Sequence, residues 1–176
     1  KVIEINPKRT GGYSFRGLAY ERKGDVERAL VDYTKVIEID PKYYRAYATR
    51  GNAYAKKGDT DSALADYNKA IEIDPKSGGN YRNRGKVYEQ KGDIDRAIAD
   101  YTKAVENGLE AFRGLGYAAR GDAYAKKGDL DRAIADYTKV IEFASKDATG
   151  YFGRASMFAK KGDLDRALAD YTKAIE

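Results

Sequence analysis

The chain has no cysteine and no histidine in 176 residues. Without cysteine there can be no disulfide, thiolate metal site or thiol nucleophile; without histidine the commonest general base and the commonest metal ligand are missing too. Most catalytic arrangements are thereby excluded, so no catalytic residue, no metal and no cofactor is expected. Long apolar runs are also absent. No stretch approaches the roughly 20 apolar residues of a spanning helix, and nothing near Lys1 reads as a charged tip followed by an apolar signal segment. No membrane association is expected, and the compartment stays open with the cytoplasm favoured. The dense basic run of nucleic-acid-binding tails is missing as well. A formal net charge of +5 tilts the chain toward acidic partners without making nucleic acid a good candidate.

What is present is a repeat. Lys-Gly-Asp occurs at Lys23–Asp25, Lys57–Asp59, Lys91–Asp93, Lys127–Asp129 and Lys161–Asp163, at spacings of 34, 34, 36 and 34. With Gly17 taken as the eighth residue of a unit, the copies run 10–43, 44–77, 78–113, 114–147 and 148–176. In each, apolar residues recur at helical spacing on two segments, as Tyr47, Gly51 and Tyr54 and then Ala63, Leu64, Tyr67, Ala70 and Ile71 show. The turn Gly58-Asp59 supplies a helix-ending glycine followed by an N-capping carboxylate, and Pro75 stops the second segment. Each unit therefore reads as a helical hairpin, and glycine at the eighth position, which costs about 1 kcal/mol of helix propensity, implies close approach of the partner helix. Ala155 replaces that glycine in the fifth copy, where the helices are expected slightly further apart.

The fourth, eighth, eleventh, twentieth and twenty-fourth residues of the second copy are Tyr47, Gly51, Tyr54, Ala63 and Tyr67, followed by Pro75. This pattern, in register across the chain, resembles the tetratricopeptide repeat. The resemblance implies an all-α fold, an alpha-alpha superhelix (right-handed solenoid) of five helix-turn-helix repeats forming a single domain over 1–176. Residues 1–9 match the end of a unit, compare Lys35–Lys42, and are expected to be the tail of a truncated sixth copy with a helical stub at 2–5. The chain stops inside a second helix, so its uncapped ends point either to a longer array or to self-association. The two extra residues of the third copy are expected in a longer turn near 107–114, because Asn107-Gly108 reads as a helix stop and Leu109 replaces the usual Pro.

Fourteen of the sixteen tyrosines fall on the fourth, eleventh and twenty-fourth positions and are expected in the core, leaving Tyr43 and Tyr44 for the surface. The Lys-Lys pairs at 56–57, 126–127 and 160–161 end first helices, and Asp61, Asp95, Asp131 and Asp165 begin second helices, as the helix dipole favours. The seventh residue is always Arg (Arg16, Arg50, Arg84, Arg120, Arg154), where the family usually has Leu. The twenty-third is always Asp (Asp32, Asp66, Asp100, Asp136, Asp170), where it often has an aromatic. A structural ladder of buried pairs is expected, each Arg reaching the Asp of the copy before it, Arg50 to Asp32 for instance, with Arg16 left unpartnered.

By helical spacing, the second, fifth, sixth, ninth, twelfth and thirteenth residues of each first helix share the side away from the core, which the resemblance places on the concave face. They include Arg45, Thr49 and Asn52 in the second copy, Arg82, Asn83 and Lys86 in the third, and Asp122 in the fourth, flanked by Phe15, Leu18, Leu115 and Phe152. These seven polar residues are the candidate ligand-binding set, read as a basic centre for an acidic protein or peptide. Some family members clamp a terminal carboxylate with Lys, Asn and Arg from successive copies. Asn52 and Asn83 fit that clamp, but Ala48, Leu115 and Ala119 stand where its cations belong, which argues against chaperone-tail binding. The expectation is a protein–protein interaction scaffold.

Overall fold

The computed structural model describes residues 10–144 and 148–176, so the expected stub and the rest of 1–9 lie outside the described residues. Ten helices follow one another with no strand among those residues: α1 (Thr10–Arg22), α2 (Val26–Ile39), α3 (Tyr44–Lys57), α4 (Thr60–Ile73), α5 (Gly78–Gln90), α6 (Ile94–Asn107), α7 (Glu110–Lys126), α8 (Leu130–Phe143), α9 (Ala148–Lys160) and α10 (Leu164–Ile175). The expected five hairpins are all present. They group into two compact units, the first ending at Lys76 and the second running Ser77–Glu176. Within each unit, every helix packs on the next, α1 to α4 in the first and α5 to α10 in the second.

The Lys-Gly-Asp turn works as its chemistry requires. Gly24, Gly58, Gly92, Gly128 and Gly162 all adopt left-handed φ near +80°, which a Cβ would strain. In the first copy the Gly24 amide donates to the Glu21 carbonyl at 3.1 Å and the Asp25 amide to that of Tyr20 at 2.9 Å, closing the helix end. The Asp that follows caps the next helix: Asp25, Asp59, Asp93, Asp129 and Asp163 each accept from a backbone amide three residues on.

The third copy departs from expectation. Its extra residues do not lengthen a turn; only Gly108 and Leu109 separate α6 from α7, and α7 begins early and reaches 17 residues. With Leu109 in place of proline nothing obstructs an early start, and Glu110 in the first turn complements the helix dipole.

Glycine at the eighth position is explained by a ring. A Cβ on Gly17 would lie 2.6 Å from Tyr33 Cε1, and one on Gly85 2.8 Å from Tyr101 Cε1. The twenty-fourth residue thus lies flat on the first helix, and Tyr33, Tyr67, Tyr101 and Tyr137 are buried. The other ten core-assigned tyrosines, including Tyr171, are only half-buried, which corrects the expectation of fourteen core rings. Those at the fourth and eleventh positions flank the seventh-residue arginine. Arg120 Cζ lies 5.4 Å from the Tyr117 centroid and 5.9 Å from that of Tyr124, and Arg16, Arg50 and Arg84 repeat the arrangement.

The ladder exists, but its pairs lie within a copy. Arg16–Asp32, Arg50–Asp66, Arg84–Asp100, Arg120–Asp136 and Arg154–Asp170 are each bidentate, with Nε and Nη2 at 2.7–2.8 Å from the two carboxylate oxygens. The seventh residue is one turn from both the fourth and the eleventh and adjacent to the eighth, so its guanidinium emerges beside its own second helix. The remaining nitrogen reaches backward. Nη1 of Arg50, Arg120 and Arg154 donates to Thr34, Thr102 and Thr138 of the preceding copy at 3.0, 3.1 and 3.2 Å. Arg16 is paired after all, although its side chain is 48% exposed against 18% for Arg120.

Removing one partner should therefore be far worse than removing both. Arg120→Met leaves Asp136 buried and uncompensated and should cost about 3–5 kcal/mol in urea melts, whereas Arg120→Met with Asp136→Leu should recover most of that loss. The capping carboxylates make a second expectation. Asp25, Asp129 and Asp163 are held below the usual carboxylate range by side-chain bonds from Arg28, Arg132 and Arg166 and by the backbone amides of the same residues; Asp59 is lowered by Ser62 and Asp93 by the Arg96 amide. A depressed folded pKa gives stability that is complete above the unfolded value near 4 and lost as pH falls through the folded one. The melting temperature followed by circular dichroism should thus fall on acidification below about pH 4, and Asp129→Asn, which keeps a capping side chain, should make that fall shallower.

Candidate functional site

The outward side of the first helices is built as helical spacing requires. None of the residues at its six positions is buried in any copy, whereas the eighth residue is buried in all five. In the first unit α3 carries three of the candidate residues. Arg45 is exposed and lies 5.7 Å over the Tyr44 ring. The Thr49 hydroxyl turns back to the Arg45 carbonyl at 2.8 Å. The Asn52 amide oxygen accepts from the buried Tyr67 hydroxyl at 2.6 Å.

In the second unit Arg82, Asn83 and Lys86 lie on α5 and Asp122 on α7, and a polar cluster gathers about two tyrosine hydroxyls. Tyr101 donates to Glu89 at 2.6 Å, Lys126 bonds the other Glu89 oxygen, and Tyr137 donates to Asp122. The Tyr101 hydroxyl is raised by burial, then by its bond to Glu89, while the charges of Asp122 and Arg82 also act on it, with opposite signs. Arg82 and Asp122 therefore approach one centre from two helices. Arg82 Nε is buried and meets no hydrogen-bond acceptor. Lys86, one turn on, is exposed and makes no salt bridge among the described residues.

The acceptors follow a rule that position-by-position reading missed. The twenty-fourth-residue hydroxyl bonds the twelfth residue where that is Glu (Tyr33 to Glu21 at 2.9 Å, Tyr101 to Glu89) and the ninth where the twelfth is Ala (Tyr67 to Asn52, Tyr137 to Asp122). The signal lay in the sequence of these four copies, where Ala55 and Ala125 accompany Asn52 and Asp122; the fifth copy, with Ala159 and Ser156 at these positions, lies outside the rule. The lysine pairs are also more than caps. Lys57, Lys127 and Lys161 bridge to Glu27, Asp95 and Asp131 of the preceding copy, and Lys56 and Lys126 to Glu21 and Glu89.

Beside Asp122 opens a largely apolar cavity of about 750 Å³, lined chiefly by Phe152, Leu168, Tyr171 and Ile175. No group of three metal-ligating side chains occurs among the described residues, and no described helix is long and apolar enough to cross a membrane. The acceptor rule is testable. Asp122→Ala should destabilise the chain by about 1 kcal/mol by stranding the Tyr137 hydroxyl, and adding Ala125→Glu should restore the loss in urea melts.

No curated protein matches the chain in sequence. Among solved structures, that of MamA is similar at a TM-score of 0.81 and 25% identity, over 94% of this chain and 90% of that one. YrrB, reported as a TPR protein with an unusual peptide-binding site, is similar at 0.74 and 25%, over 99% and 89%. PilF of Pseudomonas aeruginosa shares the fold at 0.85 and 20% identity, over 94% and 75%. One family model, a TPR repeat, matches residues 17–58, 51–92 and 121–162, and another, a tetratricopeptide repeat, matches 80–107. With the repeated hairpins, the left-handed glycine turns and the ring-on-glycine packing, these matches place the chain in the tetratricopeptide repeat family.

Proposed function

We propose that the chain is a protein–protein interaction scaffold, not an enzyme, and that it takes an acidic segment of a partner on the outward side of its first helices. The observation that carries this reading is the state of α5. Arg82 holds a buried Nε with no acceptor, and Lys86 beside it is exposed. A carboxylate from a partner would pair with the charges of the half-buried Arg82 and the exposed Lys86, and charge-assisted bonds of this kind are the strong ones. Exposed Leu115 on α7 and Phe152 on α9 offer apolar contacts in the same unit, so the segment that fits is acidic with interspersed large apolar residues. Asn83 and Asp122 contribute polar contacts there, and Arg45, Thr49 and Asn52 form the corresponding face of the first unit. The likeness to YrrB supports peptide binding as the class of activity.

The test is fluorescence anisotropy with a labelled peptide in which Glu and Leu alternate in blocks, against a control with Lys for each Glu. The acidic peptide should bind more tightly, and the more so at low salt. Arg82→Glu with Lys86→Glu should weaken it at least about tenfold, a 1.4 kcal/mol loss. Lys86→Glu alone, at an exposed position where stability changes stay within about 0.5 kcal/mol, should weaken it in the same direction with the helical signal intact. Equal binding of the two peptides, or unchanged binding by both variants, would overturn the proposal.

A further inference from the structure

We infer that the lengthened start of α7 is an anchor site for one large apolar side chain of the partner, placed about three residues along an extended segment from the carboxylate at Arg82; this rests on the reading of Arg82 and Lys86 given above. The site lies mostly ahead of residue 114, where the fourth copy begins, so it stands outside the six outward positions of the repeat. Leu109, Phe112 and Leu115 follow at three-residue steps along one side of the helix and are 74%, 60% and 51% exposed. That side is not a packed one. Gly116 and Gly114 mark the packed sides of α7, since a Cβ on the first would lie 3.0 Å from Val105 of α6 and one on the second 3.7 Å from Phe143 of α8. Leu115 projects between them and away from both. The turn is nevertheless held in place: the Phe112 amide donates to the Leu109 carbonyl at 2.8 Å, and Arg113 Nε donates to the Gly108 carbonyl at 3.2 Å. Leu109 occupies the N-cap without making a capping bond, where serine or aspartate would serve the helix better. Three large apolar residues exposed on an ordered helix start that gains nothing from them mark a recognition surface.

The occupant follows from the neighbouring helix. α5 and α7 touch and run parallel as first helices of successive hairpins, and Lys126 bonds Glu89, which sets those two residues level. Counted back from that pair, Gly79 stands level with Gly116 and Arg82 with Ala119, so α7 overtops α5 by more than a turn. A Cβ on the exposed Gly79 would meet nothing within 4 Å, and the space beside Leu115 stays open. Phe112 precedes the level of Arg82 by seven residues, about 10 Å along the axis, which an extended chain covers in about three residues. Cationic α5 and apolar α7 at that separation fit an acidic segment carrying one bulky apolar residue, in preference to a purely acidic or purely apolar one.

Fluorescence anisotropy with three labelled peptides reads this directly. The first contains only Glu and Ser, the second adds a single Phe about three residues from the nearest Glu, and the third carries that Phe at its far end, beyond reach. The second should bind at least about tenfold more tightly than the other two. Phe112→Asp, which puts an acid in the first turn where the helix dipole favours it, should bring the second peptide down to the affinity of the first and leave the first unchanged. Leu109→Ser supplies a capping hydroxyl, so it should weaken the second peptide while the melting temperature holds or rises; a leucine with only a structural role would give the opposite pair of changes. Equal affinity of the first and second peptides, with Lys86→Glu weakening both, would overturn the anchor and leave the acidic reading standing. No binding of any of the three would overturn both. A wild-type mass that climbs with concentration in light scattering and reverts with Phe112→Asp would assign the surface to a second copy and overturn the anchor as well.

Discussion

A carboxylate buried as deeply as Asp32, Asp66, Asp100, Asp136 or Asp170, none more than 7% exposed, is tolerable only beside a cation whose own hydrogen-bonding needs are met. Much of the repeat follows from that constraint. The bidentate arginine answers the charge, but its planar faces must be covered too, and the fourth and eleventh tyrosines do this from one turn away on either side. Its third nitrogen then needs an acceptor that the same hairpin does not supply. The threonine of the previous hairpin provides one, and a local solution to a charge becomes a joint between neighbours.

The second requirement falls on the tyrosine that lies on the eighth-residue glycine. The ring fills the close approach of two helices, and its hydroxyl emerges on the outward side, where an acceptor must wait. Asn52, Asp122, Glu21 and Glu89 meet this need, so residues on the outward side also hold the fold together. Arg82 and Lys86 carry no such duty, which is why the case for a ligand rests on them.

The hairpins, their turns and their caps were legible because glycine with positive φ and an N-capping carboxylate leave a local signature, and five copies amplified it. The chemistry of the Arg–Asp pairs was legible for the same reason. Their geometry was not: assigning the fourth, eighth and eleventh residues to one interface and the seventh to another treats a helix face as a line, whereas a long side chain at the seventh position spans both. The half-buried tyrosines were misplaced because aromatic residues at helical spacing read as core whether they cover carbon or a guanidinium. The lengthened α7 was missed because Asn107-Gly108 did stop α6, but nothing then delayed the next start. Of the candidate site, the outward side could be read from spacing; the tyrosine acceptors needed the comparison of ninth and twelfth residues across copies.

The backward reach of Arg50, Arg120 and Arg154 to a preceding threonine gives each hairpin a voice in the stability of its neighbour and of no other. Within a unit the molecule then behaves as a row of coupled spins, each with its own energy and one coupling term to the next. In such a row a defect is felt strongly beside itself and fades with every junction crossed, so order is lost from the ends inward and not in a single collapse. An opening of α9 and α10 would thus leave the junction between α6 and α7 standing.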